Sequence, residues 1–253
     1  MSAAAVVIVF DRSSDSQERA LASRLDLKLV EEAACGTSGI HLYLKYLPEG
    51  LSLCESGKNA AGPTRVDFYD PGLTLRASDS IKQQNLIKAL GLKKNPKPRI
   101  LDGMAGLGKD AYLMVSAGCS VQMLEKSPIV YALLEDGLER LSVGTGGGSK
   151  LPLAAQQTDF LTCSYQKYDF DIVYLDPMYP IVNRKSRAKK DMDRLHDLVG
   201  INMQEREQLD KALGIAERRV IIKRPKNAPD FAAEKPDIIY QGSSSRFDVY
   251  LTI

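Results

Sequence analysis

Tryptophan is absent from the 253 residues, and histidine occurs only twice, as His41 and His196. A mechanism that needs several imidazoles, such as a three-histidine zinc site, is therefore excluded. Cysteine is scarce too, and Cys35, Cys54, Cys119 and Cys163 include no C-x-x-C pair. That argues against a zinc ribbon or a thioredoxin-type site, and a chain of this length needs no disulfide staples, so the four read as free thiols. No run approaches the roughly 20 apolar residues of a membrane span. The apolar start at residues 1–10 lacks a basic flank and meets Asp11 too early for a signal peptide, which points to a cytoplasmic location without membrane contact. A dominant charge sign is also missing. Thirty-four Lys+Arg against 32 Asp+Glu leave +2, so affinity for a polyanion has to come from local patches. What is present, 44% hydrophobic and 26% charged residues, is ordinary for a globular protein and excludes collagen-like, low-complexity and wholly disordered chains.

The first third reads as short strands and turns. A β-branched run covers 5–10, helix-type composition covers 17–25, and strands over 41–46 and 51–54 flank Pro48-Glu49-Gly50. A further strand is predicted over 66–69, closed by Asp70-Pro71-Gly72. After about residue 77 the texture changes. Residues 80–90 carry a helical stripe of Ile81, Leu86, Ile87 and Leu90, followed by a polar breaker at 93–98. Strands over 99–102, 120–124, 153–157, 171–175 and 219–223 then accompany helices over 110–117 and 128–141. Such alternation predicts right-handed βαβ units and a mostly parallel sheet. Only residues 242–246 separate the last two strands, 238–241 and 247–252, so a hairpin with an antiparallel end strand is expected. The glycine-rich stretch 143–150 follows a helix and reads as a surface connection. We divide the chain into a strand-rich region over 1–77 and an α/β domain over 78–253.

Strand 99–102 ends in Asp102 and runs through Gly103-Met104-Ala105-Gly106-Leu107-Gly108-Lys109-Asp110 into a helix. Glycines there let backbone amides approach a ligand, and the helix start adds a partial positive charge. The spacing is G-x-x-G-x-G rather than the G-x-G-x-x-G of dinucleotide folds, which argues against a nicotinamide-dependent dehydrogenase. Glu125 ends the next strand, where an acid accepts hydrogen bonds from a ribose diol, and Asp159 follows the strand after that, within reach of an adenine amine. Three acids at three strand ends point to an adenosine-containing cofactor.

Strand 171–175 leads directly into Asp176-Pro177-Met178-Tyr179-Pro180. This D-P-x-[YF] element is close to the D-P-P-Y signature of methyltransferases that act on exocyclic amines. Such an amine is a poor nucleophile because its lone pair is delocalised into the ring. The Asp176 carboxylate and the Pro177 carbonyl are suited to hold its N–H groups, and Tyr179 offers a face for an extruded base. Positioning then supplies most of the catalysis, and no metal is needed. Five cations follow at once, Arg184, Lys185, Arg187, Lys189 and Lys190, placed to meet phosphates; Lys223 and Arg224 are expected on the same rim, with Lys93, Lys94 and Lys97 as a weaker cluster.

The segments 102–110, 123–128, 173–180, 220–225 and 246–250, in that order, resemble the bacterial ribosomal RNA small-subunit methyltransferase J family. The resemblance is dense from about residue 78 onward. It implies a Rossmann-like class I methyltransferase sheet, mostly parallel with an antiparallel C-terminal hairpin, plus the small strand-rich N-terminal region. It implies S-adenosyl-L-methionine as cofactor and the N2 amine of a guanosine in 16S rRNA, free or in the small ribosomal subunit, as substrate. By motif position Asp102, Gly106, Lys109 and Asp110 line the cofactor at the helix start, Glu125 and Lys126 meet its ribose, Thr158 and Asp159 its adenine, and Asp176 faces both methyl and amine. Met104 stands where the family often has a small polar residue. Two rivals stay open on the residues alone: an amino-methyltransferase acting on adenine or cytosine of DNA, and a non-catalytic RNA-binding ribosome-assembly factor.

Overall fold

The computed structural model describes residues 6–10, 16–32, 41–58, 60–144, 151–177 and 204–252. The β-branched run Val6–Phe10 forms β1, and helix α1 (Ser16–Leu25) returns the chain to β2 (Leu29–Glu31), parallel to β1. Strand β3 (Leu42–Leu47) lies parallel on the other side of β1, and β4 (Gly50–Glu55) turns back antiparallel. The order is β2-β1-β3-β4.

Residues 66–69 form no strand. Val66 and Phe68 are buried, but the only pairing nearby among the described residues is a single bridge between Leu53 and Thr64. Asp70-Pro71-Gly72 does not close a strand either. It opens helix α2 (Pro71–Arg76), where the Asp70 carboxylate accepts from the Leu73 amide at 2.9 Å and proline occupies the first turn. The stripe over 80–90 is broken at Gln84, whose extended backbone separates a 3₁₀ turn (Asp79–Gln83) from helix α3 (Asn85–Leu90).

The second sheet uses β5 (Arg99–Asp102), β6 (Ser120–Glu125), β7 (Leu153–Gln157), β8 (Phe170–Leu175), β9 (Ala216–Pro225), β10 (Ile238–Gln241) and β11 (Ser245–Leu251). Helices α4 (Lys109–Ser116), α5 (Pro128–Gly144) and α6 (Glu205–Ile215) connect β5 to β6, β6 towards β7, and lead into β9. The strand order is β7-β6-β5-β8-β9-β11-β10. Strands β5 to β9 are mutually parallel. The expected hairpin joins β10 and β11, closed by the Gly242 amide on the Ser245 carbonyl at 2.8 Å. Its reversed strand is not at the edge, however: β11 is inserted between β9 and β10, antiparallel to both.

Side chains alternate between the two faces of this sheet. On one face Ile100, Ile172, Tyr174, Ile221 and Val249 join an apolar cluster with Met114 and Leu134 that also takes in Ile8, Leu44, Leu53 and Phe68, so it is continuous across residue 78. On the other face Leu101, Val173, Leu175, Val220 and Ile222 pack with Leu209 and Phe231. The chain runs outward through β5, β6 and β7 and then crosses back to place β8 beside β5. The crevice at such a reversal, beyond the carboxyl ends of the strands, is where open α/β sheets bind ligands.

Candidate active site

Four strands deliver acids to that crevice. Asp102, the last residue of β5, is buried, and its Oδ1 accepts from the Met104 amide at 3.2 Å. Burial first, with Asp110 and Asp176 nearby, holds its carboxyl well above the usual aspartate range, against the opposing effects of the Met104 amide and Lys223. The chain then turns through two left-handed glycines, Gly106 at φ +53° and Gly108 at φ +70°. Their surroundings differ. A methyl at Gly103 would lie 2.6 Å from Phe160 Cδ2 and one at Gly108 2.8 Å from Leu134 Cδ1, whereas one at Gly106 would meet nothing within 4 Å. Packing excludes side chains at Gly103 and Gly108, while Gly106 fronts open space.

The Gly106 amide donates to Glu125 Oε2 at 2.9 Å, and the Ser127 amide donates to Glu125 Oε1 at 2.7 Å. Glu125 closes β6 and is buried; burial raises its carboxyl above the usual range despite the Ser127 and Gly106 amides and the charge of Lys126. The Glu125 carbonyl accepts from the Thr158 amide at 3.0 Å, which ties the ends of β6 and β7 together. Asp159 then caps a 3₁₀ turn (Phe160–Thr162), its Oδ1 accepting from the Leu161 amide at 2.9 Å.

A connected polar cluster lies beside the glycine turn. Asp110 stands in the first turn of α4, and its Oδ2 accepts from the hydroxyl of fully buried Tyr174 at 2.7 Å. Lys223 Nζ donates to Asp110 Oδ2 at 2.7 Å and to Asp176 Oδ2 at 2.8 Å. Burial pushes Asp110 up, but the Lys223 charge and the hydrogen bonds from Lys223 and Tyr174 outweigh it and hold the carboxyl low. At Asp176 burial wins over Lys223 and, with Asp110 adding to it, the carboxyl is raised. Burial disfavours the Lys223 cation, yet the two carboxylates dominate and keep it firmly protonated. Burial, followed by Asp110, drives the Tyr174 hydroxyl well above its usual value, so it stays a donor. The Asp176 side chain is 37% exposed and Asp110 only 14%, so the first of the two faces the crevice.

The structure thus brings Asp102, Gly106, Lys109, Asp110, Glu125, Lys126, Thr158, Asp159, Asp176 and Pro177 to one end of one sheet, with Lys109 and Lys126 exposed. Tyr179 and the cations Arg184, Lys185, Arg187, Lys189 and Lys190 lie outside the described residues. Two expectations need correcting. Lys223 is not a rim cation, because its ammonium is held between two carboxylates. Arg224 does not face a polyanion, because it points to the other face of β9 and is 2% exposed. There it pairs with Glu205 at 3.1 Å, donates to the Pro229 carbonyl at 2.6 Å and lies over the Phe231 ring. Tyr174 was not anticipated, since a tyrosine in an apolar strand reads as core and its polar partner, Asp110, comes from a helix 64 residues earlier in the chain.

A sheet of this order with one reversed inner strand, a glycine turn after β5 and acids at the following strand ends define a Rossmann-like S-adenosylmethionine-dependent methyltransferase. The open face at Gly106, the two left-handed glycines of the turn and the buried carboxylate of Glu125 fit that cofactor. A family model described as "Putative SAM-dependent methyltransferase" matches residues 21–252. The ribosomal RNA small subunit methyltransferase J of Thioalkalivibrio sulfidiphilus is 38% identical over 247 residues, 95% of each chain, and that of Coxiella burnetii is 39% identical over 239 residues, 93% of this chain and 92% of its own. A crystal structure of a SAM-dependent methyltransferase from Neisseria gonorrhoeae superposes with a TM-score of 0.69 at 27% identity, covering 97% of this chain and 95% of that one. The chain belongs to the ribosomal RNA small subunit methyltransferase J family, and its cofactor is S-adenosylmethionine.

Proposed function

We propose that this enzyme methylates the exocyclic N2 amine of a guanosine in 16S ribosomal RNA, in the cytoplasm. The observation that carries the proposal is Asp176: a part-exposed carboxylate at the end of β8, fixed by Lys223, at the same sheet end as the open glycine turn. The name of its relatives supports small-subunit ribosomal RNA as substrate. In this reading Asp102, Gly106, Lys109 and Asp110 flank the cofactor at the start of α4. Glu125 takes ribose hydroxyls on the lone pairs that its two amide bonds leave over, with Lys126 alongside. Thr158 and Asp159 meet the adenine, for which Asp159 retains the oxygen not used on Leu161.

Bound S-adenosylmethionine supplies an electrophilic methyl on a cationic sulfur that departs as a neutral thioether. The protein's part is to present the nucleophile. The Asp176 carboxylate and the Pro177 carbonyl accept the two amine N–H bonds, which turns the nitrogen lone pair towards the crevice. Asp176 then takes the proton that the alkylated amine must lose, and its raised proton affinity suits that task. Tyr179 stacks on the extruded base, and Arg184, Lys185, Arg187, Lys189 and Lys190 neutralise phosphates.

The test is transfer of a labelled methyl from S-adenosylmethionine to small ribosomal subunits that lack this enzyme's modification, followed by nucleoside analysis. Label is expected in N2-methylguanosine, and Asp176→Ala is expected to lower the rate by more than about 100-fold with the cofactor still bound. Label in another nucleoside, or an active Asp176→Ala enzyme, overturns the assignment.

A further inference from the structure

The four-membered chain Tyr174–Asp110–Lys223–Asp176 is more elaborate than substrate contact requires. Two of its members are carboxylates that converge on one ammonium, at 2.7 and 2.8 Å, and both use Oδ2. They come from different parts of the site. Asp110 belongs to α4, directly after the glycine turn, while Asp176 belongs to the strand exit that carries Pro177. Strand alternation explains the meeting: Tyr174 and Ile221 are register partners, so Asp176 and Lys223, each two residues on, emerge side by side on the face covered by α4.

We infer that Lys223 is a positioning residue for methyl transfer: it holds Oδ2 of Asp176 so that Oδ1 is presented to the amine, and it fixes that carboxylate against the start of α4 through Asp110. The inference rests on the proposed role of Asp176 and adds the residue that orients it. A carboxylate free to rotate offers the amine either oxygen at a variable angle, whereas one pinned through Oδ2 offers a single acceptor in a single direction. Lys223 also keeps the acceptor ionised. The groups around Asp176 are mostly negative or neutral: Asp102 from the end of β5, Asp110 from α4 and the Tyr174 hydroxyl from β8, with Arg76 of α2 acting on Asp110 from a greater distance. Among the described residues Lys223 is the cation in direct contact. Without it, burial and the neighbouring aspartates favour a protonated Asp176, which donates a hydrogen bond where the reaction needs an acceptor.

The experiment is a pH profile of single-turnover methyl transfer for wild type, Lys223→Met and Lys223→Arg, with cofactor affinity measured separately by calorimetry. In wild type the activity is lost as pH falls through the Asp176 value. For Lys223→Met that acid limb is expected to move up by about one to three pH units, because the cation that favours the carboxylate is gone. Its kcat at neutral pH is expected to fall by about 100-fold or more, a loss well beyond any weakening of cofactor binding through Asp110, which keeps its bond from the Tyr174 hydroxyl. Lys223→Arg keeps the charge but displaces Oδ2, so its acid limb stays within about half a unit of wild type while kcat falls about tenfold or more. If Lys223→Met fails to fold, the arginine variant alone decides. A wild-type kcat and profile in Lys223→Arg, or a uniform loss in Lys223→Met without movement of the acid limb, overturns the inference. Wild type that transfers no methyl to guanosine overturns the proposed function instead, so the two failures are told apart.

Discussion

Gly106 and Gly108 lie two residues apart in one turn, both left-handed, and the same substitution is expected to harm them in different ways. Alanine in the left-handed region costs about 1–2 kcal/mol, offset by about 0.4–1 kcal/mol because the unfolded chain loses freedom. For Gly106→Ala nothing lies within 4 Å of the new methyl, so the net stability loss is about 1 kcal/mol. For Gly108→Ala the methyl would sit 2.8 Å from Leu134 Cδ1 and 3.3 Å from Met123 Sδ, both buried. Overpacking of that kind adds about 1–3 kcal/mol, giving roughly 2–4 kcal/mol in all. At about 2–4 °C per kcal/mol for a chain of this size, Gly106→Ala should lower Tm by a few degrees and Gly108→Ala by about 5–15 °C. On the proposed placement of the cofactor against Gly106 the order reverses for ligand binding, because the new methyl projects into the open space there. Calorimetric melting and titration with S-adenosylmethionine on both proteins are the assays. Equal losses of stability would refute the packing account, and an unaltered cofactor Kd in Gly106→Ala would show that its open face is not the binding face.

Asp102→Asn should keep the acceptor for the Met104 amide while removing a buried carboxyl. Because the folded-state carboxyl is held well above its unfolded value, the native protein binds the extra proton, so wild-type stability falls as pH rises from the ordinary aspartate range through the folded value; the variant should flatten that part of the Tm–pH curve, and an unchanged slope refutes the assignment. Arg224→Met leaves Glu205 without its buried partner, but Glu205 is 32% exposed and can rehydrate, so denaturant melts should show a loss of about 2–3 kcal/mol, below the figure for fully buried pairs, with no change in the salt slope of RNA binding. Glutamate at Lys185, Arg187 and Lys189 together should weaken RNA binding and reduce the salt slope by about 0.7 or more for each phosphate that is no longer neutralised; an unchanged slope marks the run as a solvated face.

The centre of the parallel sheet was legible because β5, β6 and β8 are short apolar runs that end in, or run straight into, an acid. Strands 99–102, 153–157 and 238–241 have the predicted bounds. Residues 66–69 misled because burial of Val66 and Phe68 between polar neighbours has the period of a strand, and that period reports a buried side without reporting a partner. Asp70-Pro71-Gly72 is ambiguous for a related reason: the same aspartate and proline serve a turn or a helix start, and only the Leu73 amide decides. Asp102, Glu125, Asp159 and Asp176 were readable as acids at or just past strand ends, and Asp110 as the close of the glycine motif. The adjacent cations Lys223 and Arg224 were not, since a strand sends neighbours to opposite faces and the charges that meet them, Asp110, Asp176 and Glu205, come from distant positions. The sequence displays a charge; what neutralises it depends on the topology.

The place of β11 has a consequence for biosynthesis. Strand β9 leaves the ribosome first and β10 second, yet β10 pairs with β11 alone and the side of β9 turned away from β8 also pairs with β11, which comes last of the three. Until residues 245–251 emerge, β10 has no partner and the ladder edge of β9 stands open. Cotranslational folding can therefore assemble the sheet only as far as β9. A chain cut short before residue 245 leaves β10 and one edge of β9 unpaired, an apolar strand edge of the kind that recruits other chains.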